Sequence, residues 1–153
     1  MPRASPFVAA HTLIVCASQM TTLTDPDMPF VLSNPRVGSN TAADFLQWVL
    51  FLIDNNHLVP GDIFIVDNAA VHNAMEIIDS LTEAFNLVGA RMVFLPKYSP
   101  ELNPCELVFS QVKGHIRRNR VGALWPAIVD AFAEIDQRLV LSEYLHCLRV
   151  GMP

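Results

Sequence analysis

At 153 residues, with 52% apolar and 16% charged side chains, the chain is long enough for one domain with a real core and is not a disordered polymer. Its net charge of −5 argues against a general nucleic-acid binder that works by bulk attraction to phosphate. Cys16, Cys105 and Cys147 are odd in number, far apart and without a Cys-x-x-Cys pair, so they support neither a disulfide framework nor a zinc site, and a reducing compartment is the default.

The opening "MPRASPFVAAHTLIVCASQ" carries a basic residue and an apolar run in the manner of a signal peptide. His11 breaks the run, and a buried strand explains it equally well. "HTLIVCASQM" reads as a strand and "PFVLSN" as a second one after the turn residues Asp25, Pro26 and Asp27, which together predict a hairpin. Ser39 or Asn40 can cap a helix through "TAADFLQWVLFLIDNN", whose inward face is Phe45, Trp48, Val49, Leu52 and Ile53. Its apolar run "FLQWVLFLI" is nine residues long, too short to span a bilayer.

"PGD" turns into the strand "IFIVD". The next helix, "NAMEIIDSLTEAFNLV", turns Ile77, Ile78, Leu81 and Phe85 inward and stops at Gly89. "ARMVFL" is a strand. "PKYSPELNP" is a loop, because three prolines in nine residues continue neither regular structure. Asn103 and Pro104 open a helix as cap and first residue, running to about Arg120. "ALWPAIVDAFAEID" is a further helix and "SEYLHCLR" a short one. Trp48 and Trp125 read as core, and Cys105 and Cys147 as small apolar packers. The alternation in the middle predicts an α/β fold: a mostly parallel sheet under helices, made mixed by the leading hairpin.

Charge is unevenly spread. Val37 to Ala90 holds seven acids and no Lys or Arg; Arg91 to Arg120 holds six bases against Glu101 and Glu106. In "FIVDNAAVH", Asp67 ends an apolar strand, at the sheet edge where α/β proteins collect ligands. The proline loop returns to the same edge, so Glu106 can face Asp67 there. Two converging carboxylates need a cation between them, and hard ions such as Mg²⁺ or Mn²⁺ take such oxygens. Paired ions of this kind stabilise both the attacking and leaving oxygens of a phosphodiester displacement. The residues alone therefore suggest a metal-dependent nuclease or phosphoryl transferase.

"IFIVDNAAVH" followed by "FLPKYSPELNPCELVFSQVK" resembles the catalytic domain of DDE transposases, in the branch that joins mariner-like elements with bacterial insertion sequences and DDE-superfamily endonucleases. The resemblance implies a ribonuclease H-like fold over the single domain 1–153. It implies Mg²⁺ or Mn²⁺, DNA transposon ends and target DNA as partners, a homodimer, no membrane, and a nuclear or, in a bacterium, cytoplasmic location. It casts Asp67 and Glu106, with 38 residues between them, as second and third catalytic acids and metal ligands. The implied chemistry is hydrolysis of a DNA phosphodiester, then attack of the freed 3′-hydroxyl on target DNA.

One departure is clear. The family's first catalytic Asp lies on a strand before the one at "HTLIVCASQM", and "MPRASPFVAA" contains no acid. The chain thus reads as N-terminally truncated, with a central strand missing, four strands rather than five, and catalysis nearly abolished. The alternative function is an inactive remnant that binds DNA or protein.

Each site residue has a plainer role to set beside this. Asp67 can form a turn. Glu106 can return a hydrogen bond to Asn103 in a capping box. Asn68 can shape the turn or approach the metal, and His72 can position a carboxylate, phosphate or water, or be an ordinary polar residue. Tyr98 and Ser99 can hydrogen-bond their loop or touch DNA. Lys113, Arg117, Arg118 and Arg120 can offset a helix dipole or contact phosphate.

Overall fold

The computed structural model describes residues 12–18, 31–37, 40–119 and 122–152. Among the described residues, four strands and five α-helices follow in the order β1 (Thr12–Ser18), β2 (Val31–Val37), α1 (Ala42–Asp54), β3 (Ile63–Val66), α2 (Met75–Val88), β4 (Arg91–Phe94), α3 (Pro104–Asn119), α4 (Leu124–Ala133) and α5 (Gln137–Gly151). A 3₁₀ turn at Pro100–Leu102 interrupts the proline loop. The architecture is mixed α/β and mostly helical. Among the described residues no helix is long and apolar enough to cross a membrane.

The chain forms two compact units, one built on Val37–Ser99 and the other on Pro100–Pro153 together with most of the β1–β2 pair. In the first unit, β3 and β4 are parallel, with Ile63 beside Arg91 and Val66 beside Phe94. β1 pairs with β2, and β3 with β4, as separate two-stranded sheets rather than the single mixed sheet expected. Four strands are present among the described residues, and β3 has only β4 beside it there. The segment "SPFVAA" lies outside the described residues.

Local chemistry explains most boundaries. The cap of α1 is Thr41, not Ser39 or Asn40. Its hydroxyl accepts from the Asp44 N–H at 3.2 Å, and its own N–H donates to Asp44 Oδ2 at 2.8 Å. That reciprocal box satisfies two donors, which a cap one or two residues earlier would not have matched with an acid. α2 ends at Gly89, whose φ of 76° is the left-handed stop that glycine favours. Phe45, Trp48, Val49 and Leu52 of α1 and Ile77, Leu81 and Phe85 of α2 are buried as expected, while Ile53 and Ile78 lie at the margin.

In the second unit, Val108 and Val112 of α3 pack with Ala131 of α4, and Val31 of β2 lies against them. Two expectations fail here. Trp125 is 44% exposed rather than core, because the first turn of α4 places it at the edge of the stripe formed by Ile128 and Ala131. The last helix is fifteen residues long, not eight. Its start is set by Asp136, whose Oδ1 accepts from the Leu139 N–H at 2.8 Å, so the acid read as the tail of α4 is the cap of α5.

Candidate active site

β3 ends at buried Val66, and the chain then turns at Asp67. Asp67 Oδ1 accepts from the Ala69 N–H at 3.0 Å, the turn-forming bond of an Asp at this position. The same oxygen lies 2.7 Å from His72 Nδ1. His72 Nδ1 is also 3.3 Å from the Asp67 carbonyl oxygen. The His72 ring rests on Phe45 of α1, with centroids 4.3 Å apart. Asp67 is therefore both turn-former and exposed carboxylate: its side chain remains 42% accessible. Both contacts use Oδ1, which leaves Oδ2 to a ligand.

Asn68 does not face outward with Asp67. Its side-chain amide donates to the Leu95 carbonyl, while the Leu95 N–H donates to the Val66 carbonyl at 2.7 Å. The ends of β3 and β4 are tied together at the edge that carries Asp67. Beyond β4, Ser99 Oγ donates to the Lys97 carbonyl at 3.3 Å, so Ser99 shapes its loop. Tyr98 does not: it is 97% exposed, on a left-handed backbone with φ of 57°.

Glu106 belongs to the second unit, in the first turn of α3, and is exposed. Asn103 Oδ1 accepts from the Cys105 N–H at 3.1 Å. The Asn103 N–H donates to the Pro100 carbonyl at 3.0 Å, not to Glu106. The return half of the capping box is thus replaced by the 3₁₀ turn, and the Glu106 carboxylate is left to other work.

Glu106, Ser110, Lys113 and Arg117 are all exposed, and their spacing of four, three and four residues sets them along one face of α3. Arg118 lies off that face, with its guanidinium over Gly114: a Cβ there would meet Arg118 Nη1 at 3.2 Å. Arg120 lies outside the described residues.

Sequence reasoning missed the contact of Phe45 with His72 and, separately, a buried acid of the second unit. Phe45 was visible only as one apolar residue among several on α1. Glu143 of α5 is 4% exposed, and neither carboxylate oxygen has a hydrogen-bond partner. The spacing Val140, Glu143, Cys147 puts that acid on the inward face of a helix and was the available signal.

The mixed α/β chain thus presents two accessible acids, one following a parallel strand and one heading a helix. The family described as DDE superfamily endonuclease matches residues 16–123, well over half of the chain, and the chain belongs to that family. No curated protein matches it.

Proposed function

We propose that this chain carries the catalytic chemistry of a DNA transposase: metal-dependent strand cleavage and strand transfer on a ribonuclease H-like framework. The observation that carries the reading is Asp67, held at the end of a parallel strand with Oδ2 uncommitted, in a chain of the DDE superfamily. The donor set suits a hard ion, since Asp67 and Glu106 both offer accessible carboxylate oxygens. A divalent ion bound there would polarise the scissile phosphate and acidify the attacking water. The reading requires the two carboxylates to converge, with oxygens within roughly 4–8 Å, since paired ions in such sites lie about 3.5–4 Å apart.

The protein's own residues do the rest. Asp67 and Glu106 orient the phosphodiester for in-line attack, in which the water oxygen bonds to phosphorus as the P–O3′ bond breaks. The released 3′-hydroxyl is then the nucleophile for target DNA. Lys113 and Arg117, on the Glu106 face of α3, hold neighbouring phosphates. Exposed Tyr98 offers a face on which a base can stack.

A second reading, DNA binding without cleavage, is favoured by one observation: the exposed Lys113 and Arg117 on one face of α3 suit phosphate contact whether or not a metal is held. A nuclease assay with Mg²⁺ and Mn²⁺ separates the two. Cleavage by the parent, lost in Asp67→Ala and in Glu106→Ala, supports the first. DNA binding with no cleavage in any of the three proteins supports the second.

A further inference from the structure

We infer that His72 is a positioning residue that restricts Asp67 to ligation through Oδ2 alone, and that it thereby favours small octahedral ions of the Mg²⁺ and Mn²⁺ class over Ca²⁺. The inference rests on the reading of Asp67 as a metal ligand.

A carboxylate oxygen has two lone pairs and only accepts, so a nitrogen at hydrogen-bond distance must supply the hydrogen. Oδ1 of Asp67 has two such donors: the Ala69 N–H at 3.0 Å and His72 Nδ1 at 2.7 Å. Its capacity is filled. Oδ2 is the oxygen left for a cation.

The second donor is itself held in place. The His72 N–H donates to the Ala69 carbonyl at 3.0 Å, which closes the turn. The imidazole lies against the buried Phe45 ring, which limits its swing. Donor, acceptor and turn belong to one short segment, and Phe45 braces it from α1. The same Nδ1 reaches the Asp67 carbonyl, so the ring spans backbone and side chain of one residue. Hydrogen bonds of this kind to a ligating carboxylate fix its orientation and govern metal affinity.

The selectivity follows from coordination chemistry. Ca²⁺ gathers about six to eight oxygens and readily takes both oxygens of one carboxylate. Mg²⁺ demands near-octahedral geometry, keeps several waters and is served by one oxygen from each acid. With Oδ1 filled by donors, two-oxygen ligation by Asp67 would have to break the Ala69 or the His72 bond. Removing the His72 donor frees one lone pair of Oδ1 and lets the carboxylate turn.

The test is metal binding by the full chain, without turnover. Free Mn²⁺ is measured by electron paramagnetic resonance and Ca²⁺ by its competition, in the parent, Asp67→Asn, His72→Ala and His72→Asn. Thermal melts by circular dichroism verify that each variant is folded. Asn carries an N–H donor at the position of Nδ1, so His72→Asn is the conservative rescue. The expected result is loss of Mn²⁺ binding in Asp67→Asn and a fall of about tenfold in His72→Ala. The ratio of Mn²⁺ to Ca²⁺ affinity falls in His72→Ala and is restored in His72→Asn. If His72→Ala does not fold, Phe45→Leu, which loosens the ring without deleting it, is expected to shift the ratio in the same direction. Unchanged Mn²⁺ affinity in Asp67→Asn would overturn the metal reading and this inference with it. Lost binding in Asp67→Asn with an unchanged ratio in the His72 and Phe45 variants would overturn this inference alone.

Discussion

Glu143 and Cys147 lie one helical turn apart on the buried face of α5, and the Glu143 carboxylate has no hydrogen-bond partner there. Burial pushes the Glu143 carboxyl from 4.5 up to about 7. Burial likewise raises the Cys147 thiol, with Glu143 and then Cys105 adding to the effect. The folded protein therefore prefers Glu143 protonated, whereas the unfolded chain ionises it near 4.5. Stability from this group is fully present below pH 4.5, declines as pH rises toward 7, and is flat above that. The change is on the order of 3 kcal/mol. Urea unfolding at pH 5 and pH 8 checks it. Glu143→Gln is expected to lose most of the difference and to exceed the parent at pH 8. Equal pH dependence in both proteins would refute the assignment.

Asn68 closes the edge of the β3–β4 pair through the Leu95 carbonyl. Asn68→Ala leaves that carbonyl without its partner, and the expected cost is about 1–2 kcal/mol. For a chain of this size that is a fall of about 2–8 °C in Tm. A melt unchanged from the parent would mean that water replaces the amide at no cost.

The two faces of α3 make different predictions for DNA. Lys113→Ala and Arg117→Ala are each expected to weaken binding across sequences and to flatten the plot of log affinity against log salt by about 1. Arg118→Ala, off the Glu106 face and folded over Gly114, is expected to change the slope little. Fluorescence anisotropy across a salt series distinguishes them. Equal losses from all three variants would show a diffuse basic helix rather than a directed face.

Ile63 and Ile65 of β3 and Val93 of β4 are large, apolar and exposed. Alternation along the strands puts them on the side opposite Phe64 and Val66. Such a face on a short sheet invites association between chains. Ile65→Thr with Val93→Thr keeps β-branched side chains while removing apolar surface. The pair is expected to raise the soluble fraction on expression, with stability changed by less than about 1 kcal/mol. Light scattering that is unchanged by the pair would place the source of association elsewhere.

Several features were legible without coordinates because their causes are local. The apolar spacing of α1 and α2, the stop at Gly89, the proline loop and the Asn103–Pro104 helix start each depend on a few adjacent residues. The motif from Ile63 to His72, read with the one from Phe94 to Lys113, was enough to reach the family. α5 was read too short because its cap, Asp136, was read as the tail of the preceding helix. Trp125 was read as core because size and hydrophobicity say nothing of whether a residue stands at the centre of a stripe or at its edge.

The sequence by itself determined where the acids fall along the chain, since strand, turn and helix signals are written in neighbouring residues. Only the tertiary structure decided what those acids touch. Asp67 meets His72 because a turn folds five residues back on themselves, and His72 is held there by Phe45, from a helix more than twenty residues earlier. Glu143 is buried and unpartnered because of what packs over its helix, not because of its neighbours in sequence. Propensity acts within a few residues, whereas a carboxylate's partners and its exposure depend on segments brought together by folding.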